Sequence, residues 1–422
     1  MRRGLNLTVF ALVAIVVHAQ EETARSVLVF LDDPGLAGSH SRFLNVLQEA
    51  AGPSPLAVVH GEKVGDELQN WGNYTHSALV ILASNLPQSL EVSTILDYVD
   101  AGHDFMLVTD SSASSSVRDL ATEFGIDFHH AHSQVLEHAG VVGGEVDGSV
   151  VAAAVSDRAV AFLGAPHCPH PVLFRGLAHS TPALSTLLEP LVVAGEGAYS
   201  TMEGGAEVAA GHQLALVSAM RARNGARAVL AGSLEMLSNA FLSPPAHWEP
   251  TANAALAGAL SRWVLHKAGE LRVGALSHSK QLQDGTREPA SVYTVGDRMH
   301  VSLPIDQFHS DGRGWQPFAA DDVQIELILM DPRVRATLSC NVDGVFSGEL
   351  RIPEDPGLYK LAVHYDHPGL SVVDVSTSIP VRPLKHYQHP RFLVAAYPYY
   401  ASCFSMMAGL FILGLVFLYH KE

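Results

Sequence analysis

Histidine is the residue that first suggests chemistry in this chain, which has 23 of them. His129, His130, His132 and His138 crowd together, with Asp127 and Glu137 beside them. Zinc takes three or four such donors converging at fixed distances, but a histidine run on a surface loop has the same composition without the convergence. Solvated loop histidines are the expectation. His167-Cys168-Pro169-His170 offers two donor types, but its prolines fix an extended loop and no second ligand pair accompanies it, so a structural loop is expected. Ser84 and Ser111 each follow an apolar run, where a nucleophile elbow would sit. Neither has the flanking glycines of Gly-x-Ser-x-Gly. No glycine-rich cradle leads into Lys-Ser/Thr, and no dinucleotide fingerprint follows the first apolar run. The expectation is no catalytic residue, no metal site and no cofactor.

The elements that must position these residues follow from periodicity. Short Val/Ile/Leu-rich runs at 26–31, 56–60, 79–83 and 105–109 alternate with helical spacing, as in Phe43, Leu44 and Leu47, or Val92, Ile95, Leu96 and Val99. Buried strands alternating with helices predict an α/β fold built on a doubly wound parallel sheet. The pattern continues more weakly through 150–163 and 226–232, and a last helix is expected over 251–267, ending at Gly269. Such sheets bind ligands at the carboxyl ends of their strands, which makes Asp32-Asp33-Pro34-Gly35 and Asp110-Ser111-Ser112 the first loops to inspect. Ser84 stands where a glutamine-amidotransferase-like fold carries its cysteine, without a recognisable His-Glu pair, as in a non-catalytic relative. Beyond Gly269 the period falls to two: Val323, Ile325, Leu327 and Leu329; Tyr359, Leu361, Val363 and Tyr365; Val373, Val375 and Ile379. The pairs Asp343-Gly344, Pro356-Gly357 and Pro368-Gly369 punctuate these runs as turns, predicting a small β-sandwich.

Both ends carry membrane information. Met1-Arg2-Arg3, an apolar stretch to Val17 and the small residues Val17 and Ala19 read as a signal peptide, residues 1–19. From Phe392 to Tyr419 there is no formal charge, and 393–419 is expected to be a transmembrane helix flanked by Tyr397, Tyr399, Tyr400 and Tyr419. The expected order is then a luminal α/β domain (24–268), a luminal β-rich domain (269–385), the helix and a cytosolic tail (420–422). Arg382, Lys385 and Arg391 before the helix argue for the opposite orientation, but long domains translocate largely regardless of flanking charge. Ala401, Ser405 and Gly409 recur every four residues and form either a close-approach face for another membrane helix or a chance stripe in an Ala/Gly-rich protein. Asn73-Tyr74-Thr75 is the one glycosylation acceptor outside the signal, which holds Asn6.

Composition bounds the rest. With 26 Lys+Arg against 43 Asp+Glu the net charge is -17, which argues against phosphate-backbone binding and hence against nucleic acid. The 48% hydrophobic and 16% charged content excludes a disordered chain, and three cysteines are no disulfide framework.

Longer strings carry a resemblance. Residues 392–402, Phe392-Leu393-Val394-Ala395-Ala396-Tyr397-Pro398-Tyr399-Tyr400-Ala401-Ser402, resemble the membrane anchor of the family of 48 kDa subunits of the oligosaccharyltransferase complex, as does the sequel Phe404-Ser405-Met406-Met407 and Gly409-Leu410-Phe411. Further matches are Leu173-Phe174-Arg175-Gly176, Ala222-Arg223-Asn224 to Gly232-Ser233-Leu234, Leu260-Ser261-Arg262-Trp263-Val264, Leu271-Arg272-Val273-Gly274, Asp321-Asp322-Val323-Gln324 to Asp331-Pro332, and Val381-Arg382-Pro383-Leu384. The resemblance implies a degenerate α/β domain, a β domain and one C-terminal helix. It also implies a non-catalytic subunit of the endoplasmic reticulum complex that moves a preassembled glycan from dolichyl diphosphate to Asn of Asn-x-Ser/Thr, with metal-dependent transfer in a separate multi-pass subunit. Its implied partners are the other subunits and the ER membrane, contact with the lipid-linked oligosaccharide being left open. The dilysine tail of some relatives is missing, since His420 precedes Lys421, so retention is expected to run through partners. The alternatives of a different class are a membrane-anchored binding receptor and a membrane-anchored hydrolase.

Overall fold

The computed structural model describes residues 26–138, 147–163, 170–182, 185, 187–201, 207–244, 250–282, 284–309, 313–389 and 391–420. The signal peptide, His167-Cys168-Pro169 and the last two residues of the tail lie outside them. The apolar runs form β1 (Val27–Leu31), α1 (Ser41–Ala51), β2 (Leu56–His60), β3 (Ala78–Leu82), α2 (Val92–Asp100), β4 (Asp104–Val108) and α3 (Ser115–Glu123). Every residue of β1, β3 and β4 is buried, because helices cover both faces of the sheet. On one face α1 sets Phe43, Leu47 and Ala51 against Val27, Val29 and Leu31. On the other, Ile95, Tyr98 and Val99 of α2 and Val117, Leu120 and Ala121 of α3 cover Leu28 and Phe30.

The sheet then departs from the expected parallel arrangement. Following these elements come β5 (Val151–Val155), β6 (Val172–Phe174), β7 (Leu188–Val193), β8 (Ala215–Arg221), β9 (Arg227–Ala231) and α4 (Asn253–Val264). The main path runs β6-β5-β7-β8-β9-β4-β3-β1-β2. Strands β2, β1, β3, β4 and β9 are parallel, whereas β8, β7, β5 and β6 are each antiparallel to the preceding neighbour. For β8 against β9 the physical reason is connection length. Ala222 N–H donates to Ala226 O at 2.8 Å, a tight turn that reverses the chain between β8 and β9. A parallel return needs a crossover of a dozen residues or more. The result is a mixed sheet, doubly wound in its parallel half only. Helix α4 lays Leu256, Leu260 and Trp263 into the same core as α1.

Beyond Gly269 two sheets face each other. The first contains β10 (Arg298–His309), paired antiparallel with Val345–Arg351; the second runs Tyr293–Thr294, Val373–Arg382, Gly357–Tyr365, Gln324–Ile328 and Pro332–Thr337. Met299, Val301, Leu303 and Ile305 of β10 share a core with Ile325, Leu327, Tyr359, Leu361 and Val363. This is the expected sandwich. The chain ends in α5 (Tyr397–Tyr419), a 23-residue helix with no buried residue. At 1.5 Å per residue it is about 34 Å long, enough for a ~30 Å hydrocarbon core.

Candidate functional site

At the carboxyl ends of the parallel strands, Ser84 follows β3 and Asp110 follows β4. The Ser84 hydroxyl donates to Asp110 Oδ1 at 2.9 Å. The same oxygen accepts from Ser112 N–H at 2.8 Å and from Ser112 Oγ at 2.6 Å. Three donors saturate the lone pairs of one oxygen, so Asp110 ties two loops together. Ser111 O accepts from His132 N–H at 2.7 Å, which anchors the histidine run beside this crevice through its backbone. In the neighbouring Asp32-Asp33-Pro34-Gly35 loop, Asp33 Oδ1 accepts from Gly35 N–H at 3.0 Å, a local turn bond. Asp32 and Asp33 are otherwise exposed.

The histidines diverge. His129 turns inward, with Nδ1 2.9 Å from Ser200 Oγ, while His130, His132 and His138 are exposed. Asp127 is exposed, and Glu137 is half-buried. Among the described residues no three His, Cys, Asp or Glu side chains meet as metal ligands. Next to His129 lies His179, fully buried, with Nε2 2.7 Å from Ser218 Oγ and its ring edge-on to Phe128. Burial first, and then the neighbouring His129, push His179 down to about 3. His129 is also lowered, again mainly by burial. Both rings are neutral near pH 7, and the pair serves as a buried polar island.

A second set of heavily bonded polar groups lies at the opposite end of the sheet. Arg227 opens β9 and is 1% exposed. Its guanidinium donates to Trp263 O at 2.6 Å, Ala268 O at 2.7 Å and Gly269 O at 3.2 Å, and lies over the Trp263 ring. A cation at the last carbonyls of α4 is favoured by the helix dipole. Arg221, at the end of β8, donates to His367 O at 3.0 Å and Leu370 O at 2.6 Å and pairs with Asp366. Trp263 Nε1 donates to Gly369 O at 3.3 Å. The 366–371 loop of the sandwich is thereby clamped onto the sheet. Gly369 has φ +81°, and a Cβ there would collide with the Phe162 carbonyl, so this loop needs glycine. The sequence marked Pro368-Gly369 only as a turn; Arg221, Arg227 and the clamp were missed. The legible signs are that Arg227 and Trp263 sit in strings carrying the family resemblance.

Two such strings meet at a backbone crossing. A Cβ on Gly176 would strike Gly232 O, and one on Gly232 would strike Leu177 O. Leu177 N–H donates to Gly232 O at 2.7 Å, and Ser233 Oγ to Arg175 O at 2.6 Å.

Asn73 is exposed on a small hairpin of Gln69–Asn70 and Asn73–Tyr74. Ala401, Ser405 and Gly409 lie on one face of α5, exposed along its length, and nothing lies within 4 Å of a Cβ on Gly409. Cys340 and Cys403 are free thiols.

These features are spread over both stretches in which the chain matches known families. The family pattern described as "OST48, N-terminal domain" matches residues 18–267, and "OST48 middle domain" matches residues 278–421. The chain belongs to the OST48 family. Relatives named as the dolichyl-diphosphooligosaccharide-protein glycosyltransferase 48 kDa subunit are 35% identical over 416 residues in Arabidopsis thaliana, covering 94% of this chain and 94% of the relative. In Danio rerio the identity is 31% over 413 residues, covering 94% and 92%, and in Caenorhabditis elegans 33% over 429 residues, covering 95% and 93%. Among solved structures, a ThuA-like protein from Bacteroides uniformis overlays with a TM-score of 0.36 at 12% identity, covering 57% of this chain and 91% of that one. That likeness is too distant to argue from. In OST48 terms, the clamp joins the stretches matched by the two patterns, and α5 lies inside the second.

Proposed function

We propose that the chain is a non-catalytic accessory subunit of the oligosaccharyltransferase complex of the endoplasmic reticulum, which transfers a preassembled glycan from dolichyl diphosphate to Asn of Asn-x-Ser/Thr in nascent proteins. The observation that carries this reading is coverage: relatives bearing the subunit's name match about 94% of the chain, and the OST48 middle-domain pattern runs through the anchor to residue 421. The non-catalytic part rests on Ser84, whose proton is held by an Asp110 oxygen that also bonds Ser112, with no imidazole hydrogen-bonded to the hydroxyl among the described residues. Its partners are the other subunits, the multi-pass catalytic one among them, and the lipid-linked oligosaccharide is a further candidate for the strand-end crevice. Residues 1–19 act as a signal peptide, 24–268 and 269–385 form the luminal domains, 393–419 span the membrane and 420–422 face the cytosol. The Ala401, Ser405 and Gly409 face, exposed and packed against no other element among the described residues, packs against a partner's membrane helix.

Protease added to sealed microsomes tests the topology. Nearly the whole chain stays protected on this reading; digestion of the main body would overturn it. The helix face is tested by Gly409→Leu and Ser405→Leu, which should cost about 1–2 kcal/mol of packing and reduce co-purification of the other subunits in mild detergent. Unchanged recovery after replacing the whole segment with an unrelated apolar helix would leave α5 a tether.

A further inference from the structure

The hairpin that carries Asn73 has an anomalous tip. Asn70 pairs with Asn73, and the two residues between them, Trp71 and Gly72, both have positive φ, 52° and 81°. This is a two-residue turn of the kind that favours Asn-Gly or Gly-Gly. A bulky aromatic at positive φ is an outlier. Trp71 is also 98% exposed, the most exposed large apolar side chain described. It thus combines backbone strain with an unburied indole, and no contact recorded among the described residues offsets either. The base of the hairpin is firmly held. Tyr74 packs edge-on against Tyr98 at 5.0 Å and His103 at 5.2 Å, and Thr75 Oγ1 donates to Leu68 O at 3.2 Å. A rigid base therefore presents a bare indole two residues before an exposed acceptor asparagine, with only Gly72, which has no side chain, between them.

We propose that Asn73 carries an N-linked glycan and that Trp71 is the platform on which its first N-acetylglucosamine lies. The ring's negative face attracts the polarised C–H groups on one face of a pyranose, as it attracts the positive edge of another aromatic ring. Asn73 fixes the sugar within reach, and the covalent link removes most of the association entropy. The glycan locks the hairpin and shields the indole. The proposal rests on the luminal topology above, since only a luminal Asn73 meets the transfer machinery.

The test uses the full chain in its assembled complex. Glycopeptide mass spectrometry reads occupancy of Asn73. Amide hydrogen exchange across 69–75 is then compared for the intact glycan, for the glycan trimmed enzymatically to one N-acetylglucosamine, and for Asn73→Gln. Loss of the sugar should speed exchange by about threefold to tenfold, the scale of one aromatic contact, and the trimmed form should behave like the intact one. In Trp71→Asn, which suits positive φ and keeps the turn, the sugar should make no difference; in Trp71→Phe the coupling should return. An unmodified Asn73 in a chain protected in sealed microsomes overturns the proposal and leaves the topology standing. An unmodified Asn73 in a digested body overturns both. Equal sugar effects with and without the aromatic, or protection lost on trimming to one sugar, also overturn it.

Discussion

The two ends of the parallel sheet are built on opposite principles. At the carboxyl end, Ser84, Asp110 and Ser112 bond to one another across neighbouring loops. At the amino end, Arg221 and Arg227 bond to carbonyls on distant segments, from Trp263 to Leu370. In most open α/β sheets the carboxyl end is where chemistry is done. Here two buried arginines, Arg221 and Arg227, sit at the other end, and Arg221 holds the 366–370 loop of the second β unit in place. The contrast is that of a protein whose sheet serves assembly.

That contrast breaks most visibly at Gly369. Gly369→Ala puts a Cβ into the Phe162 carbonyl at a φ that only glycine adopts freely. A loss of about 4 kcal/mol or more is expected, read as a collapse in protease-resistant chain. Recovery of wild-type protein would show that the clamp is not tight. Next in size is Arg227→Met, which leaves three carbonyls without their cation and should cost about 2–4 kcal/mol in denaturant titration.

A smaller, pH-dependent effect belongs to the buried histidines. His179 is held near 3 in the fold against about 6.5 unfolded, so between those values the unfolded chain binds the extra proton. The stability it contributes is complete above about pH 6.5 and is lost as pH falls toward 3, at up to about 1.4 kcal/mol per pH unit. His179→Gln should flatten that slope in thermal melts at pH 4 to 7; an unchanged slope would place its origin elsewhere.

The sequence made half of this contrast legible. The runs forming β1 to β4 are unbroken apolar stretches, which only a sheet covered on both faces accommodates, and α5 is uncharged over a membrane's width. The antiparallel half was not legible, because the direction of β8 against β9 is set by the turn at Ala222 to Ala226 rather than by periodicity. Strand β10 alternates Met299, Val301, Leu303 and Ile305, but Pro304 and scattered charges obscure it, since proline is rare inside sheets. Periodicity does not mark Arg221 and Arg227 as buried. Arg221 is tied to a loop 145 residues away at Asp366, and Arg227 to carbonyls 36 to 42 residues away at the end of α4 and just beyond it, and local patterns carry no trace of such contacts. At the strand ends, the sequence located Ser84 and Ser111 correctly but had no means of showing that Asp110 is committed to its loop.

The central claim is that the carboxyl end holds no catalytic machinery. The most direct measurement is glycan transfer by complexes carrying Ser84→Ala, Ser111→Ala and His130→Ala together, with subunit composition checked. Transfer within about twofold of wild type is the result expected. A several-hundredfold loss in a normally assembled complex, roughly 3–4 kcal/mol of transition-state stabilisation, would contradict the claim and make this end of the sheet an active site.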